Sequence, residues 1–246
     1  MKMLKKLSAL LLASVLMFTM SVSAFAAGPQ NNENAREYQE YTKLVNDGTL
    51  GKDITFEYWQ ALKSRAAELE NQLESSSEFS KVYDSACADT YSTYTMQSGD
   101  VFITNGTSSF GITGHAAIAI TLDDSSKTIL HISGPGANPS TISLSSWNST
   151  FSSKGWTKIY RHNNSNISLA AATWAKNTYY NSNATYEINM DLASTDKTYC
   201  SKLVWQAYYY GPSSHCANGP TWGVRLPYDL PDTIHDLMLV KTYEKT

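Results

Sequence analysis

The apolar positions of this chain change their spacing several times along its length. Residues 7–20 are almost wholly apolar behind Lys2, Lys5 and Lys6, and Ala24-Phe25-Ala26 follows as a small-x-small cleavage pattern. That run is too short and wrongly flanked for a spanning helix and reads as a secretory leader over 1–26. No later run approaches ~20 apolar residues, so no membrane span is expected. Two helical patterns come next, over 35–46 and 56–81. In the second, Tyr58, Leu62, Ala66, Leu69 and Leu73 fall on one stripe at steps of three and four. Between them "NDGTLGKDIT" supplies two glycines as a stop and Asp53 or Thr55 as a cap, which predicts a helical hairpin. Its expected role is to pack on the main domain, with a lid or pro-segment as the alternative.

Residues 85–98 are polar and tyrosine-rich, a linker. From Gly99 the texture turns to strands: 100–105, 115–122, 127–133 and 156–162 alternate or run apolar between Gly, Asp, Asn and Ser. A helix is expected over 168–180 and another over 200–210, and "HDLMLVKTYE" closes the chain as a strand. Strands grouped between helices without regular alternation predict an α+β fold. The organisation expected is a leader over 1–26, a helical segment and linker over 27–95, and a catalytic domain over 96–246.

Composition and charge narrow the function. Losing 1–26 removes three lysines and no acids and takes the net charge from −3 to −6. A mildly acidic mature chain is not expected to bind nucleic acid. With 6 Trp, 16 Tyr and 7 Phe the chain can build an ordinary core. Cys87, Cys200 and Cys216 are an odd number for an exported protein, so one thiol is free or paired with another molecule. A Cys87–Cys216 bridge that leaves Cys200 free is one solution, and three unpaired thiols are the other.

Cys200 carries the candidate chemistry. Read as the first residue of its helix, with Thr195 or Asp196 as the cap, it meets unpaired N–H groups and the helix dipole. Both favour a thiolate, and the same N–H groups suit an oxyanion. A lone cysteine on an apolar helix is more often a small buried residue, so a base decides the matter. His115 opens one apolar strand and His131 interrupts the next, 16 residues on, across the turn at "LDDSSK". In an antiparallel pair the two can share one face. His162, His215 and His235 are expected at the surface or in packing. Structural zinc would want close pairs such as C-x₂-C or H-x₃-H, and none occurs. No metal or cofactor is expected.

"QSGDVFITN…GITGHAAIAITLDDSSKTILHISGPG" resembles the strand pair of NlpC-type cell-wall peptidases, and "YCSKLVWQAY" resembles their Cys-Ser-x-x-Val helix. Here the cysteine helix follows the histidine strands. That order is similar to the circularly permuted papain-like branch, the YiiX-like amidases and peptidases, whose relatives include lipid acyltransferases. "VRLPYDLPDTIHDLMLV" resembles that branch as well. The resemblance implies an antiparallel sheet packed on the cysteine helix, with Cys200 as nucleophile, His115 as base and His131 as the orienting residue. Cys200 would rest as a thiolate paired with protonated His115. Tyr199 departs from the unpermuted group, which often has Asp before the cysteine. The implied activity is hydrolysis of amide bonds in peptides or peptidoglycan by an exported or wall-associated enzyme. The alternatives are a lipid or thioester acyl hydrolase or transferase, and an exported binding module that has lost activity.

Overall fold

The computed structural model describes residues 29–84, 94–109, 112–123 and 126–245. The expected leader, most of the expected linker and Cys87 lie outside them. The chain divides into two units, Met1–Arg36 and Glu37–Thr246. Of the first, residues 29–36 are described, the opening of helix α1 (Pro29–Asn46).

Within the second unit the helical hairpin forms as expected from α1 and α2 (Phe56–Asp84). The Tyr41 ring lies 5.9 Å from that of Trp59, and Glu37 accepts from Gln60 at 2.8 Å and from Lys63 at 2.6 Å. Thr55 caps α2 by accepting from the Tyr58 N–H at 3.2 Å. The other expected cap, Asp53, instead accepts from the Met190 N–H at 2.8 Å and ties the hairpin turn to the far part of the chain. Trp59, Leu62, Ala66 and Leu69 are buried in one cluster with residues of the strands and of the cysteine helix.

The strands and helices that follow are β1 (Val101–Ser109), β2 (Ile112–Thr121), β3 (Lys127–His131), β4 (Ser140–Ile142), α3 (Leu144–Trp147), β5 (Thr157–His162) and α4 (Ser165–Tyr179). After them come β6 (Thr185–Tyr186), β7 (Lys197–Thr198), α5 (Cys200–Tyr210), α6 (Leu230–Thr233) and β8 (Leu237–Tyr243). Six strands make one antiparallel sheet in the order β4-β3-β2-β1-β5-β8, and β6 and β7 pair in parallel as a separate two-stranded sheet. The fold is α+β, with the antiparallel sheet packed on the cysteine helix.

"HAAIAI" reads as a continuous apolar run because β2 is covered on both faces. Ala116, Ile118 and Ile120 meet the core that contains Leu203 and Val204 of α5. Ala117 and Ala119 meet a second cluster with Phe102, Ile129, Ile159 and Trp147. Each fully buried Ile contributes about 2 kcal/mol of transfer free energy. One tie fixes α5 relative to the sheet. Tyr208 donates to the Gly99 carbonyl at 2.6 Å, just before β1. Beside it Asp100, fully buried, accepts from Arg161 at 2.6 and 2.8 Å, from Tyr94 at 2.6 Å and from the Gln97 N–H at 2.8 Å. The Gly-Asp of the strand motif therefore has a structural role, since its carboxylate is buried and held by charged, phenolic and backbone donors together.

Candidate active site

Cys200 begins α5 after an extended approach. The β6–β7 pairing, Thr185 with Lys197 and Tyr186 with Thr198, keeps the chain extended as far as Tyr199 (φ −143°, ψ 169°). Tyr199 is therefore the N-cap, and no side chain caps the helix. The expected cap at Thr195 or Asp196 is corrected, because β7 lies between those residues and the helix. The first-turn N–H groups therefore have no side-chain partner. The N–H groups of Cys200, Ser201 and Ala116 favour the ionised form of the Cys200 thiol, and the Ser201 hydroxyl lies 4.0 Å from Sγ.

His115 and His131 come together as the strand pattern predicts. With Ile118 opposite Leu130, the two histidines lie diagonally across the β2–β3 ladder on the face of Ala117 and Ala119. His115 Nε2 and His131 Nδ1 are 2.9 Å apart. The His115 ring stacks on Trp147 at 5.6 Å and 17° and lies 5.1 Å from Phe151. Gly114 precedes it at φ +93°, and a Cβ there would stand 2.6 Å from the Tyr228 ring. Only glycine allows both that conformation and that approach.

Cys200 and His115 line one narrow pocket. Tyr186 and Ile188 form part of its wall, and Val224, Leu226 and Pro227 form another part. The sulfur makes no hydrogen bond to either imidazole among the described residues, and from the histidine strand the Ala116 N–H favours its ionised form. His131 does not line the pocket and reaches it through His115.

Ionisation follows burial. Burial, then the neighbouring His131, pushes His115 down to about 3, and burial pushes His131 down to about 4. Burial raises the Cys200 thiol, and the Ala116, Ser201 and Cys200 donors offset this only in part. Burial thus opposes both charges of the expected thiolate–imidazolium pair, and no direct sulfur–imidazole hydrogen bond offsets it among the described residues.

The remaining candidates sort differently. Cys216 is a free, buried thiol that donates to the Ser214 carbonyl at 3.2 Å. It carries no bridge, and its expected partner Cys87 lies outside the described residues. His162 is buried in β5 and its Nδ1 accepts from the Asn164 N–H, while His215 stacks on Tyr209. Among the described residues no group of three or more His, Cys, Asp and Glu could hold a metal ion, and no helix is long and apolar enough to cross a membrane.

A family model described as lipoprotein N-acylation protein LnsA-like matches residues 69–243, more than half of the chain. The chain belongs to the LnsA-like family. That LnsA-like stretch begins inside α2 and contains Cys200, both histidines and the whole pocket wall. An uncharacterized 30.3 kDa protein of Bacillus thuringiensis is 37 % identical over 162 residues. The matched stretch is 61 % of this chain and 58 % of that relative, so the chain spans little more than half of the relative's length. The solved structure of metalloprotein YiiX from Escherichia coli O157:H7 superposes with a TM-score of 0.48 at 13 % identity, over 60 % of this chain and 98 % of that one.

Three residues around Cys200 escaped the sequence reading, two of them, Tyr186 and Arg225, in the pocket wall. Tyr186 lines the pocket from a two-residue strand too short to carry a pattern. Arg225 lies in a turn-rich stretch, and its backbone is held by the neighbours of Cys200. Lys202, fully buried, donates to Asn189 Oδ1 at 3.3 Å and to the carbonyls of Asp191 and Lys197 at 2.5 and 2.7 Å. Burial lowers it to about 8 against the pull of Asp191, Glu187 and Asp53. The adjacency of Lys202 to the motif Cys-Ser was the one available signal for a buried cation.

Proposed function

We propose that this chain is an exported cysteine acyl hydrolase or acyltransferase in which Cys200 carries the acyl group as a thioester. The observation that carries the reading is the nucleophile's setting. An uncapped helix N-terminus presents the Cys200 thiol to a pocket also lined by His115, and His115 Nε2 is engaged by His131. The family description, lipoprotein N-acylation, favours acyl over peptide chemistry. The pocket wall favours it too: Ile188, Val224, Leu226 and Pro227 suit an apolar chain better than charged stem peptides. The leader pattern at 1–26 supports export.

The chemistry follows from the resting charges. With Nε2–H donating to His131 Nδ1, His115 Nδ1 is the base. It takes the thiol proton as sulfur adds to the acyl carbonyl, so that charge is created only when substrate is bound. First-turn N–H groups of α5 hold the oxyanion. The His115 imidazolium then gives its proton to the leaving alkoxide or amine, and the thioester remains. Water or an amine attacks that thioester, His115 takes the incoming proton, and sulfur leaves to be reprotonated.

The test is turnover of diacyl phospholipid vesicles with and without a lipopeptide amine, beside purified peptidoglycan, read by product mass spectrometry. Release or transfer of fatty acyl groups by wild type and none by Cys200→Ala is expected. Cleavage of peptidoglycan alone would transfer the site to the wall-peptidase reading that the NlpC-type resemblance implies.

A further inference from the structure

The two residues that flank Cys200 bond the backbone of one distant residue. The Arg225 N–H donates to the Tyr199 hydroxyl at 3.0 Å, and the Ser201 hydroxyl donates to the Arg225 carbonyl at 2.7 Å. Tyr199 and Ser201 are almost inaccessible, at 2 % and 1 % exposure. Arg225 sits between Val224 and Leu226, which with Pro227 form one wall of the Cys200 pocket. Tyr228, the next residue, closes its ring against the Cα of Gly114, the neighbour of His115.

A loop satisfies its backbone groups with whatever donors and acceptors are near, commonly water. Here both polar groups of one loop residue are satisfied by the two side chains on either side of the nucleophile. We propose that Tyr199 and Ser201 are positioning residues. Together they fasten the strap 224–227 across Cys200 and fix the distance between the sulfur and the wall that receives the acyl chain. This explains why a phenol stands before the cysteine: its hydroxyl is committed to the strap. The role rests on the reading of Cys200 as the nucleophile.

The experiment uses the intact protein and the variants Tyr199→Phe, Ser201→Ala, both together, and Ser201→Thr. Iodoacetamide labelling of Cys200 is followed by peptide mass spectrometry, with buried Cys216 as the internal reference for general loosening. Each single loss is expected to raise the Cys200-to-Cys216 labelling ratio about fivefold, the worth of one hydrogen bond. Ser201→Thr keeps the hydroxyl and the wild-type ratio. The double variant falls short of the product of the singles, because both bonds hold one residue. With an acyl donor, KM rises by a similar factor and kcat changes less than twofold. A ratio unchanged in both single variants, or fully multiplicative effects, would overturn the proposal. Labelling needs no turnover, so this failure is distinct from that of the nucleophile reading, which would appear as wild-type turnover in Cys200→Ala.

Discussion

His115 and His131, 16 residues apart in sequence, stand with Nε2 and Nδ1 separated by 2.9 Å inside a box of Trp147 and Phe151. The bond fixes which nitrogen of His115 is available for chemistry. Its Nε2 is occupied, and the ring is held flat on an indole. His131→Ala should therefore lower kcat about 10²-fold while KM changes little, as expected for loss of a group that orients a base. Steady-state kinetics on the acyl donor check this. An unchanged kcat would remove His131 from the machinery.

The same pair predicts acid sensitivity. Both histidines are neutral in the folded chain down to about pH 4, whereas in the unfolded chain they titrate near 6.5. Between those values the unfolded state holds more protons, so stability falls as pH drops through the window. Each histidine contributes about 1.4 kcal/mol per pH unit. Urea unfolding at pH 7, 6 and 5 measures the slope. His131→Asn should remove one histidine's share of it.

The thiol has the opposite sense. Burial raises Cys200, so its alkylation rate should keep climbing above the ordinary thiol range and show no plateau near neutrality. A rate that levels off between pH 6 and 7 would restore the thiolate–imidazolium pair at rest.

Gly114 and Gly136 test the geometry that precedes His115. Both have positive φ, +93° and +78°, but a Cβ on Gly136 meets open space and one on Gly114 meets Tyr228. Gly136→Ala should cost about 1 kcal/mol, and Gly114→Ala on the order of 2–4 kcal/mol, with loss of activity. Thermal unfolding and turnover of the two variants compare strain alone with strain plus overlap. Equal costs would contradict the close approach of Tyr228.

The elements legible in the sequence were those with a strong local signal. The apolar runs of β1, β2 and β3, the stripe on α2 and the helix from Cys200 each bury enough surface to impose a period. β4, β6 and β7 have three, two and two residues and leave no period to read. Their consequences were hidden with them: β7 displaces the cap of α5, and β6 brings Tyr186 to the pocket. The convergence of His115 with His131 was readable from strand alternation. The charge state of the site was not, because it depends on how completely Trp147, Phe151 and the strap exclude water. The Arg225 clamp was hidden for a similar reason, as it joins side chains to a backbone more than 20 residues away.

The central question is whether the Cys200 sulfur carries the acyl group. The direct measurement is the intact mass of the protein quenched in acid during turnover of a fatty-acyl donor. A thioester on Cys200 gives a single added acyl mass on the Cys200 peptide that hydroxylamine removes and Cys200→Ala never acquires. Full turnover with the Cys200 peptide unmodified, or an acyl mass that persists in Cys200→Ala, would contradict it.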